Sequence, residues 1–349
     1  MEKKHTKRNT ILGFITLLIA LFIFWGVKQY KLIFSPQFQI EDEDKVYLYI
    51  DRDDTIDSIY NQLTEKAHPI NLSGFKKICT YKKYSENIHT GKYEIHSDDN
   101  ALTLYRKLSR GHQTPTKLVV NNPRTIEAVV GHLAKQIMVD STEIAEQLFD
   151  EAIQAEMGYD ETSLLSFFIP NTYEVYWNIP VEELLNRLQK EHQAFWNTTR
   201  KEKAEKIGLT PFEVSILASI VDEETIKNDE KKKVAGLYIN RLKKGMLLQA
   251  DPTVKYALGD FTIQRVLEKH LTIDSPYNTY LYTGLPPGPI RIPSIQGLDA
   301  VLNYEDHNYL YMCAKDDFSG YHNFASNLAE HTRNARKYWN ALNKRKIYK

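Results

Sequence analysis

The feature that most constrains this chain is an uncharged apolar run near its beginning, Ile11–Val27 (ILGFITLLIALFIFWGV). At about 1.5 Å per residue, a helix of this length covers roughly 26 Å, slightly less than a typical hydrocarbon core. Trp25 and Lys28 can lie at the interface and extend the span. A cleaved signal peptide is the alternative, but no small-residue cleavage site follows before Lys28. The run predicts an uncleaved transmembrane helix over residues 11–27.

The charges in front of this run predict its orientation. Residues 1–10 hold four basic side chains against one acidic one, and basic residues favour the cytoplasmic side of a membrane. We expect a cytoplasmic tail over residues 1–10, a single pass through the cell inner membrane, and the rest of the chain on the periplasmic side. No pool of ATP or nicotinamide cofactor is expected there, so we predict that the chain uses no cofactor.

The composition suggests a folded protein with two domains and excludes other classes. The chain has 349 residues, of which 42% are hydrophobic and 26% charged, so wholesale disorder is excluded. Lys plus Arg and Asp plus Glu both number 45, so no basic excess argues for nucleic acid as a partner. Cys79 and Cys313 are too few for a disulfide framework. Two separate thiols are the simpler interpretation, with one disulfide as the alternative.

Residues 28–116 predict a stalk followed by a small α+β module. The stretch 28–45 mixes charges with Pro36 and shows no helical period, which predicts a short stalk. The periods of the apolar residues then predict strands over residues 46–50 and 91–95, with helices over 55–63, 71–84 and 101–108. This β-α-α-β order with a further helix forms one small unit, and residues up to 116 connect it to the rest.

From residue 117 to 349 the pattern predicts one larger mixed α+β unit. We expect a strand over residues 118–120, a buried strand over 309–314, and helices over 125–136, 141–156, 181–197, 211–225 and 229–244. Three prolines and two glycines in Thr283–Ile290 predict a rigid loop that shapes a cleft wall. The fold class is therefore α+β, with an N-terminal transmembrane helix, a small module and a larger domain.

One acid on the predicted helix 211–225 is a candidate for catalysis. A capping box with proline at the first helical position, Thr210–Glu213, defines the start of this helix. Glu224 continues an apolar stripe, because Val221, Ile220 and Leu217 precede it by three, four and seven residues. A carboxyl group at the edge of a buried face loses hydration, which raises its pKa and keeps it protonated, as a general acid requires.

Its neighbours Asp222 and Glu223 point progressively away from that stripe. Three acids at the C-terminal end of a helix cost about 0.3–1 kcal/mol each through the macrodipole, and such a cost favours a functional explanation. The alternative is a solvated acidic face, which is the commoner role of an acidic run. Helical spacing alone does not decide between the two interpretations.

Longer motifs in the second half of the chain carry a resemblance to a known family. In chain order they are FIPNTY over residues 168–173, LASIVDEET over 217–225, VAGLYINRL over 234–242, GMLLQADPTV over 245–254, SPYNTY over 275–280 and GLPPGPI over 284–290. With these motifs and separations the chain resembles the endolytic murein transglycosylases, the YceG-like proteins. The chain departs from the family's usual pattern at two positions, with Asp222 in place of a glutamate and Asn171 in place of an aspartate.

The resemblance implies an architecture and an activity. Residues 46–116 would be a LysM-like module with its connector, and residues 117–349 the YceG-like catalytic domain. The activity implied is cleavage of the β-1,4 bond between N-acetylmuramic acid and N-acetylglucosamine in peptidoglycan, with formation of a 1,6-anhydro end, which limits the length of nascent glycan strands. Glu224 would be the catalytic acid. The implied partners are glycan strands and peptidoglycan synthases.

Eight further residues are candidates for substrate contact: Asn171, Asn240, Arg241, Gln249, Asp251, Tyr277, Asn278 and Tyr280. Amides can hold N-acetyl groups and aromatic rings can stack on sugars. A structural ion pair is an equal alternative for Arg241, and a turn or helix cap for Asp251. His322 and His331 lie too far apart to predict a metal site, and none is expected.

Three alternatives remain open from the sequence. The chain could be a non-catalytic peptidoglycan-binding scaffold or a hydrolytic muramidase instead of a lytic transglycosylase. The small module over residues 46–112 could bind glycan or could act as a spacer that holds the active site away from the bilayer.

Overall fold

The structure is a computed structural model that describes residues 2–40, 44–263 and 265–345. The chain divides into two compact units. Unit 1 contains the residues up to Lys117 together with Glu174–Ile179, and unit 2 contains Leu118–Tyr173 and the chain from Pro180 onward. Helices and short two-stranded sheets give a mixed α+β architecture, as predicted. The sequence pattern did not predict that Glu174–Ile179 joins unit 1.

Unit 1 begins with a long apolar helix, α1 (Glu2–Phe34). Its segment Ile11–Phe34 has 24 residues and is long and apolar enough to cross a membrane. The helix continues past the predicted end at Val27, so the prediction of a non-helical stalk from residue 28 was wrong for its first part. The physical reason is that residues 28–34 contain neither glycine nor proline, and Pro36 follows two residues after the helix ends.

The residues directly after α1 pack against the rest of unit 1 and do not form a free stalk. Phe38 is 3% exposed, and the backbone N–H of Gln37 donates to the carbonyl oxygen of Asp99 at 3.0 Å. Buried apolar surface and paired backbone groups both favour this docked course. Residues 41–43 of the predicted stalk lie outside the described residues.

The rest of unit 1 has the predicted β-α-α-β-α order. Its elements are β1 (Lys45–Ile50), α2 (Ile56–Ala67), α3 (Ser73–Tyr81), β2 (Gly91–His96) and α4 (Ala101–Ser109). The two strands pair antiparallel with Leu48 opposite Tyr93. Both side chains are buried, together with Phe75 and Leu104 from the helices. The LysM-like identity of this unit stays a prediction.

Unit 2 is mainly helical. In chain order the remaining elements are β3 (Thr116–Val119), α5 (Ile126–Ala134), α6 (Ser141–Leu148), α7 (Glu151–Met157), β4 (Thr172–Val175), α8 (Val181–Phe195), α9 (Thr198–Ile207), α10 (Pro211–Glu224), α11 (Asn228–Lys243), α12 (Asp251–Leu258), α13 (Ile295–Leu302), β5 (Tyr311–Ala314), β6 (His322–Ala325) and α14 (Leu328–Lys344). Strand β3 pairs with β4, and β5 pairs antiparallel with β6.

Several predicted elements of unit 2 need correction. The helix predicted over 141–156 is two helices, because Asp150 caps the start of α7 by accepting from the N–H groups of Ala152 and Ile153. Strand β5 is half-buried instead of buried. The prolyl loop Thr283–Ile290 packs onto α10, where the N–H of Ile290 donates to the Ser219 hydroxyl at 3.0 Å.

Helix α10 is the centre of unit 2. Every residue from Val214 to Asp222 is buried, so the helix is enclosed on all sides and its apolar surface is wider than one stripe. Its capping box is present, with mutual hydrogen bonds between Thr210 and Glu213. Helices α9, α11, α12 and α13 pack around it. This packing holds the C-terminal end of α10, and therefore Glu224, in a defined position.

Candidate active site

A polar cavity of about 260 Å³ opens at the C-terminal end of α10. Its other walls include parts of helix α11, the loop before α12, the start of α12 and strands β5 and β6. The lining side chains are Glu224, Leu237, Tyr238, Arg241, Leu248, Gln249, Asp251, Tyr280, Met312, Cys313, Ala314 and His322. Glu224 and four of the predicted substrate contacts therefore come together in one pocket.

The carboxyl group of Glu224 has the properties expected of a general acid. Burial raises its pKa from 4.5 to about 7, and the negative charge of Asp251 acts in the same direction. The Tyr238 hydroxyl donates to Glu224 Oε1 at 2.7 Å, which favours the ionised form and opposes the rise. The neighbouring His322 and Arg241 side chains oppose it as well, but desolvation dominates. The group can therefore donate and accept a proton near neutral pH.

The two preceding acids are paired with basic side chains. Asp222 is buried and accepts from Lys231 Nζ at 2.7 Å and from the Ser294 hydroxyl at 2.8 Å. Glu223 is bound by Arg124 through two hydrogen bonds, at 2.9 and 2.8 Å, and by Arg291 at 2.9 Å. These ion pairs offset the cost that the helix dipole imposes on both acids. The ion pairs give Asp222 and Glu223 a structural explanation, and the predicted functional explanation of the acidic run stays a prediction for Glu224.

Arg241 supports the floor of the pocket and makes no ion pair with the residues that the structure describes. Its Nη1 donates to the carbonyl oxygens of Leu247 and Leu248 at 3.1 and 2.8 Å and to Gln249 Oε1 at 3.3 Å, and Nε donates to Leu310 O at 2.6 Å. Gln249 has a φ of 50°, a left-handed conformation that non-glycine residues rarely adopt. The guanidinium group thus holds a strained loop in place against the cavity.

Asp251 adds a second carboxylate to the pocket. It lies in the first turn of α12 and accepts a hydrogen bond from the Tyr280 hydroxyl at 2.6 Å. Burial, with the adjacent Asp251 carboxylate, raises the pKa of Tyr280 above its ordinary value. Asp251 is the first residue of α12 and lines the cavity, but the cap position is Ala250 and no side chain caps this helix, so the helix-cap expectation was wrong. Its contact with substrate stays a prediction.

Four predicted substrate contacts lie outside the pocket. The Asn240 amide donates to the carbonyl oxygens of His307 and Tyr309, at 2.6 and 3.1 Å. The Asn278 side-chain amide is fully buried and donates to two carbonyl oxygens of its own loop, at 2.9 and 2.8 Å.

The other two are Tyr277 and Asn171. The ring of Tyr277 packs on Tyr256 at 4.8 Å between centroids. Asn171 lies at the start of β4, where its side chain accepts from the N–H of Thr172. Each of the four side chains has a partner in the local structure, and the contact of these residues with substrate stays a prediction.

Sequence reasoning missed His322 and its partner. His322 on β6 lines the pocket, and its Nδ1 lies 2.8 Å from Glu230 Oε2. The histidine was considered only as a metal ligand, whereas the structure places it beside the catalytic candidate. In the part of the chain that the structure describes, no group of three or more His, Cys, Asp or Glu side chains is arranged to hold a metal ion. Cys79 and Cys313 are free thiols.

Glu224 is a desolvated acid in a polar cavity with no ion-pair partner among the described residues. This arrangement is typical of enzymes that use one carboxyl group as a general acid. The profile of the YceG-like family matches residues 48–337, and the chain therefore belongs to this family, which confirms the resemblance found in its motifs.

Proteins similar to this chain carry matching descriptions. An endolytic murein transglycosylase of Bacillus subtilis is 29% identical over 286 residues, covering 76% of this chain and 78% of that protein. One from Streptococcus pneumoniae is 25% identical over 301 residues, and the match spans 53% of its length. The crystal structure of a YceG-like protein from Listeria monocytogenes superposes with a TM-score of 0.57 at 27% identity, covering 84% of this chain and 99% of that one.

Proposed function

We propose that this chain is a membrane-anchored lytic transglycosylase of peptidoglycan. It would cleave the β-1,4 bond between N-acetylmuramic acid and N-acetylglucosamine within glycan strands, leave a 1,6-anhydro end, and so limit the length of nascent strands. The observation that carries the proposal is the desolvated carboxyl group of Glu224 in a polar cavity, with a pKa raised to about 7. Relatives described as endolytic murein transglycosylases support the choice of substrate.

In the first step, protonated Glu224 donates its proton to the glycosidic oxygen as the bond to C1 of the muramic acid breaks. Burial raises the pKa to about 7, so a large fraction of the acid is protonated at neutral pH, and the Tyr238 hydroxyl stabilises the carboxylate that forms. The hydrogen bond at 2.7 Å becomes stronger when its acceptor is charged, so it acts where negative charge develops.

In the second step, the same carboxylate takes the proton of the C6 hydroxyl group of the muramic acid while that oxygen bonds to C1. The ring closes without water, and Glu224 returns to its protonated form. One residue therefore serves as acid and base. A pKa near 7 suits both roles, because the proton-transfer driving force is balanced between donation and acceptance.

The remaining parts of the proposal concern placement in the cell. Helix α1 would anchor the chain in the cell membrane with its N-terminus in the cytoplasm, since residues 1–10 are basic. The small module over residues 46–116 and the catalytic domain over residues 117–349 would then work outside the cytoplasm. Peptidoglycan synthases are the proposed protein partners, and a crosslinking experiment that recovers none would count against this.

The decisive experiment replaces Glu224 with glutamine. Glu224→Gln should abolish the release of anhydro-muropeptides from glycan strands, because an amide cannot donate a proton to the leaving oxygen. Glu213→Gln is the matched control at the other end of α10, since glutamine keeps the capping box and residue 213 does not line the pocket. Unchanged product yield from Glu224→Gln would overturn the assignment of Glu224, whereas a parent protein that releases no anhydro product would favour a non-catalytic scaffold.

A hydrolytic muramidase is a second candidate, and the presence of Asp251 in the pocket is the observation that favours it. Glycosidases that use water pair an acid with a second carboxylate. The mass of the product separates the two reactions, because a hydrolytic product is heavier than an anhydro end by one water molecule. Glycan ends that carry this extra water would establish hydrolysis in place of ring closure.

A further inference from the structure

Glu230 and His322 form a buried pair that the proposed reaction does not use. His322 Nδ1 lies 2.8 Å from Glu230 Oε2, and the backbone N–H of His322 donates to Glu230 Oε1 at 2.8 Å. Glu230 comes from the first turn of α11 and His322 from the start of β6. The side chain of Glu230 is 5% exposed and that of His322 is 17% exposed. Two contacts from one residue to both carboxylate oxygens fix the imidazole ring in a single orientation.

The partner determines the tautomer of His322. Burial opposes ionisation of Glu230, but hydrogen bonds from the ring and backbone of His322 and from Thr225 lower its pKa overall. An ionised carboxylate can only accept hydrogen bonds, so Nδ1 carries the proton that it donates to Glu230. In the neutral ring, Nε2 is then left with a lone pair and acts as an acceptor.

This acceptor belongs to a side chain that lines the same cavity as Glu224. Within the residues that the structure describes, Nε2 of His322 has no protein hydrogen-bond partner. Other polar groups of the pocket are engaged: the Tyr238 hydroxyl donates to Glu224, and the Tyr280 hydroxyl donates to Asp251. The sugars of a glycan strand carry O–H and acetamido N–H donors, which a fixed acceptor can orient.

We propose that Glu230 holds His322 so that Nε2 accepts a hydrogen bond from an O–H or N–H group of the sugar bound beside Glu224. His322 is then a substrate-contacting residue, and Glu230 is a positioning residue that acts through it. No proton passes to His322, so the proton balance of cleavage and ring closure at Glu224 is unchanged. This inference rests on the proposed function, since it takes glycan as the bound ligand.

The test uses two substitutions in the full-length chain. His322→Asn keeps an amide N–H near the position of Nδ1 for Glu230 but removes the acceptor at Nε2. Glu230→Gln keeps the size of the side chain, but its amide can donate to Nδ1 and so favours the tautomer with Nε2 protonated. Each variant should lose on the order of 10-fold in kcat/KM for glycan strands. The double variant should lose no more than the larger single loss, because the pair acts as a unit.

A spectroscopic readout separates positioning from simple destabilisation. The ¹⁵N chemical shifts of the His322 ring in the full-length chain should report an unprotonated Nε2 in the parent protein and a protonated Nε2 in Glu230→Gln. His132→Gln is the control at a histidine of α5, since its Nε2 lies 3.0 Å from the Asn121 amide but the residue does not line the pocket. This variant should keep full activity.

The outcomes are distinguishable from failure of the proposed function. If the parent protein forms anhydro ends and Glu224→Gln abolishes them, the function stands. Under that condition, any one of three results would overturn the role of the pair. These are an unchanged kcat/KM in His322→Asn, losses that add in the double variant, and a protonated Nε2 in the parent protein. On N-deacetylated strands, the loss in His322→Asn should vanish if the donor is the acetamido N–H and persist if it is a hydroxyl group.

Discussion

The carboxyl group of Glu224 should cost the folded protein stability above neutral pH, and Glu224→Gln should remove that cost. Burial raises its pKa from 4.5 to about 7, which at about 1.4 kcal/mol per pKa unit corresponds to about 3 kcal/mol. The unfolded chain releases this proton near pH 4.5 and the folded chain only near pH 7. The unfolded state therefore binds fewer protons between these values, and stability falls as the pH rises through them.

The assay is thermal unfolding of parent protein and variant at pH 4 and pH 8. Glutamine has the same shape and can accept the hydrogen bond from Tyr238. At pH 8 the variant should melt roughly 6–12 °C higher, because a domain the size of unit 2 shifts by about 2–4 °C per kcal/mol. At pH 4 the two should melt together. Glu223→Gln is the control on the same helix, and it should lower the melting temperature at pH 8 because Glu223 is paired with Arg124 and Arg291.

The reasoning would be refuted if Glu224→Gln melted at or below the temperature of the parent protein at pH 8. Such a result would mean that the carboxyl group is well solvated in the folded chain. A general acid without a raised pKa would be ionised at neutral pH, and the proposed first step would lose its proton donor.

Three further substitutions test other parts of the site. Tyr238→Phe removes a hydrogen bond that favours ionised Glu224, so the alkaline limb of the pH profile of kcat/KM should move up by roughly one pH unit, and a downward move would contradict this. Asp222→Asn leaves the buried Lys231 without its counter-charge and should lower the free energy of unfolding by about 3–5 kcal/mol in a urea titration. Gly297→Ala would place a Cβ atom 2.6 Å from Asp222 Oδ1 and should destabilise the protein by about 1–3 kcal/mol. An unchanged urea midpoint in Asp222→Asn or in Gly297→Ala would contradict the expectation for that variant.

The parts of the fold that could be predicted are those whose signals are local. The start of α10 followed from the capping box and proline at residues 210–213, because these residues satisfy the first backbone N–H groups whatever surrounds them. Helix α9 has mostly charged residues and buries only Ala204 among those described, so it has no apolar period to detect. In α14 no described residue is buried. Helix α9 therefore depends on caps and neighbouring elements more than on an amphipathic pattern, whereas α14 is amphipathic but leaves Leu328 and Trp339 exposed.

The residues of the candidate site also divide into those with a local sequence signal and those without one. Glu224, Arg241, Gln249 and Asp251 lie close together in the sequence, and the motifs that contain them could be recognised. His322 lies almost one hundred residues further on, on a short strand, and no local pattern connects it to α10. The positions of Asn240 and Asn278 outside the pocket could not be predicted for another reason, since an asparagine that binds backbone carbonyl groups has the same sequence signature as one that binds a sugar.

The three adjacent acids at residues 222–224 have different surroundings although they carry the same kind of charge. Successive residues of a helix point about 100° apart, so Asp222, Glu223 and Glu224 face different neighbours. Asp222 accepts hydrogen bonds from Lys231 and from Ser294 at the start of α13, and Glu223 accepts one from Arg124. These pairs hold the end of α10 in place. Glu224 turns to a cavity where a phenol is its protein hydrogen-bond donor among the described residues. If Glu224 also had a cationic partner, its pKa would fall and it could not donate a proton at neutral pH. The two paired acids therefore position the end of the helix. Glu224 has no cationic ion-pair partner among the described residues, which makes it suitable for acid catalysis.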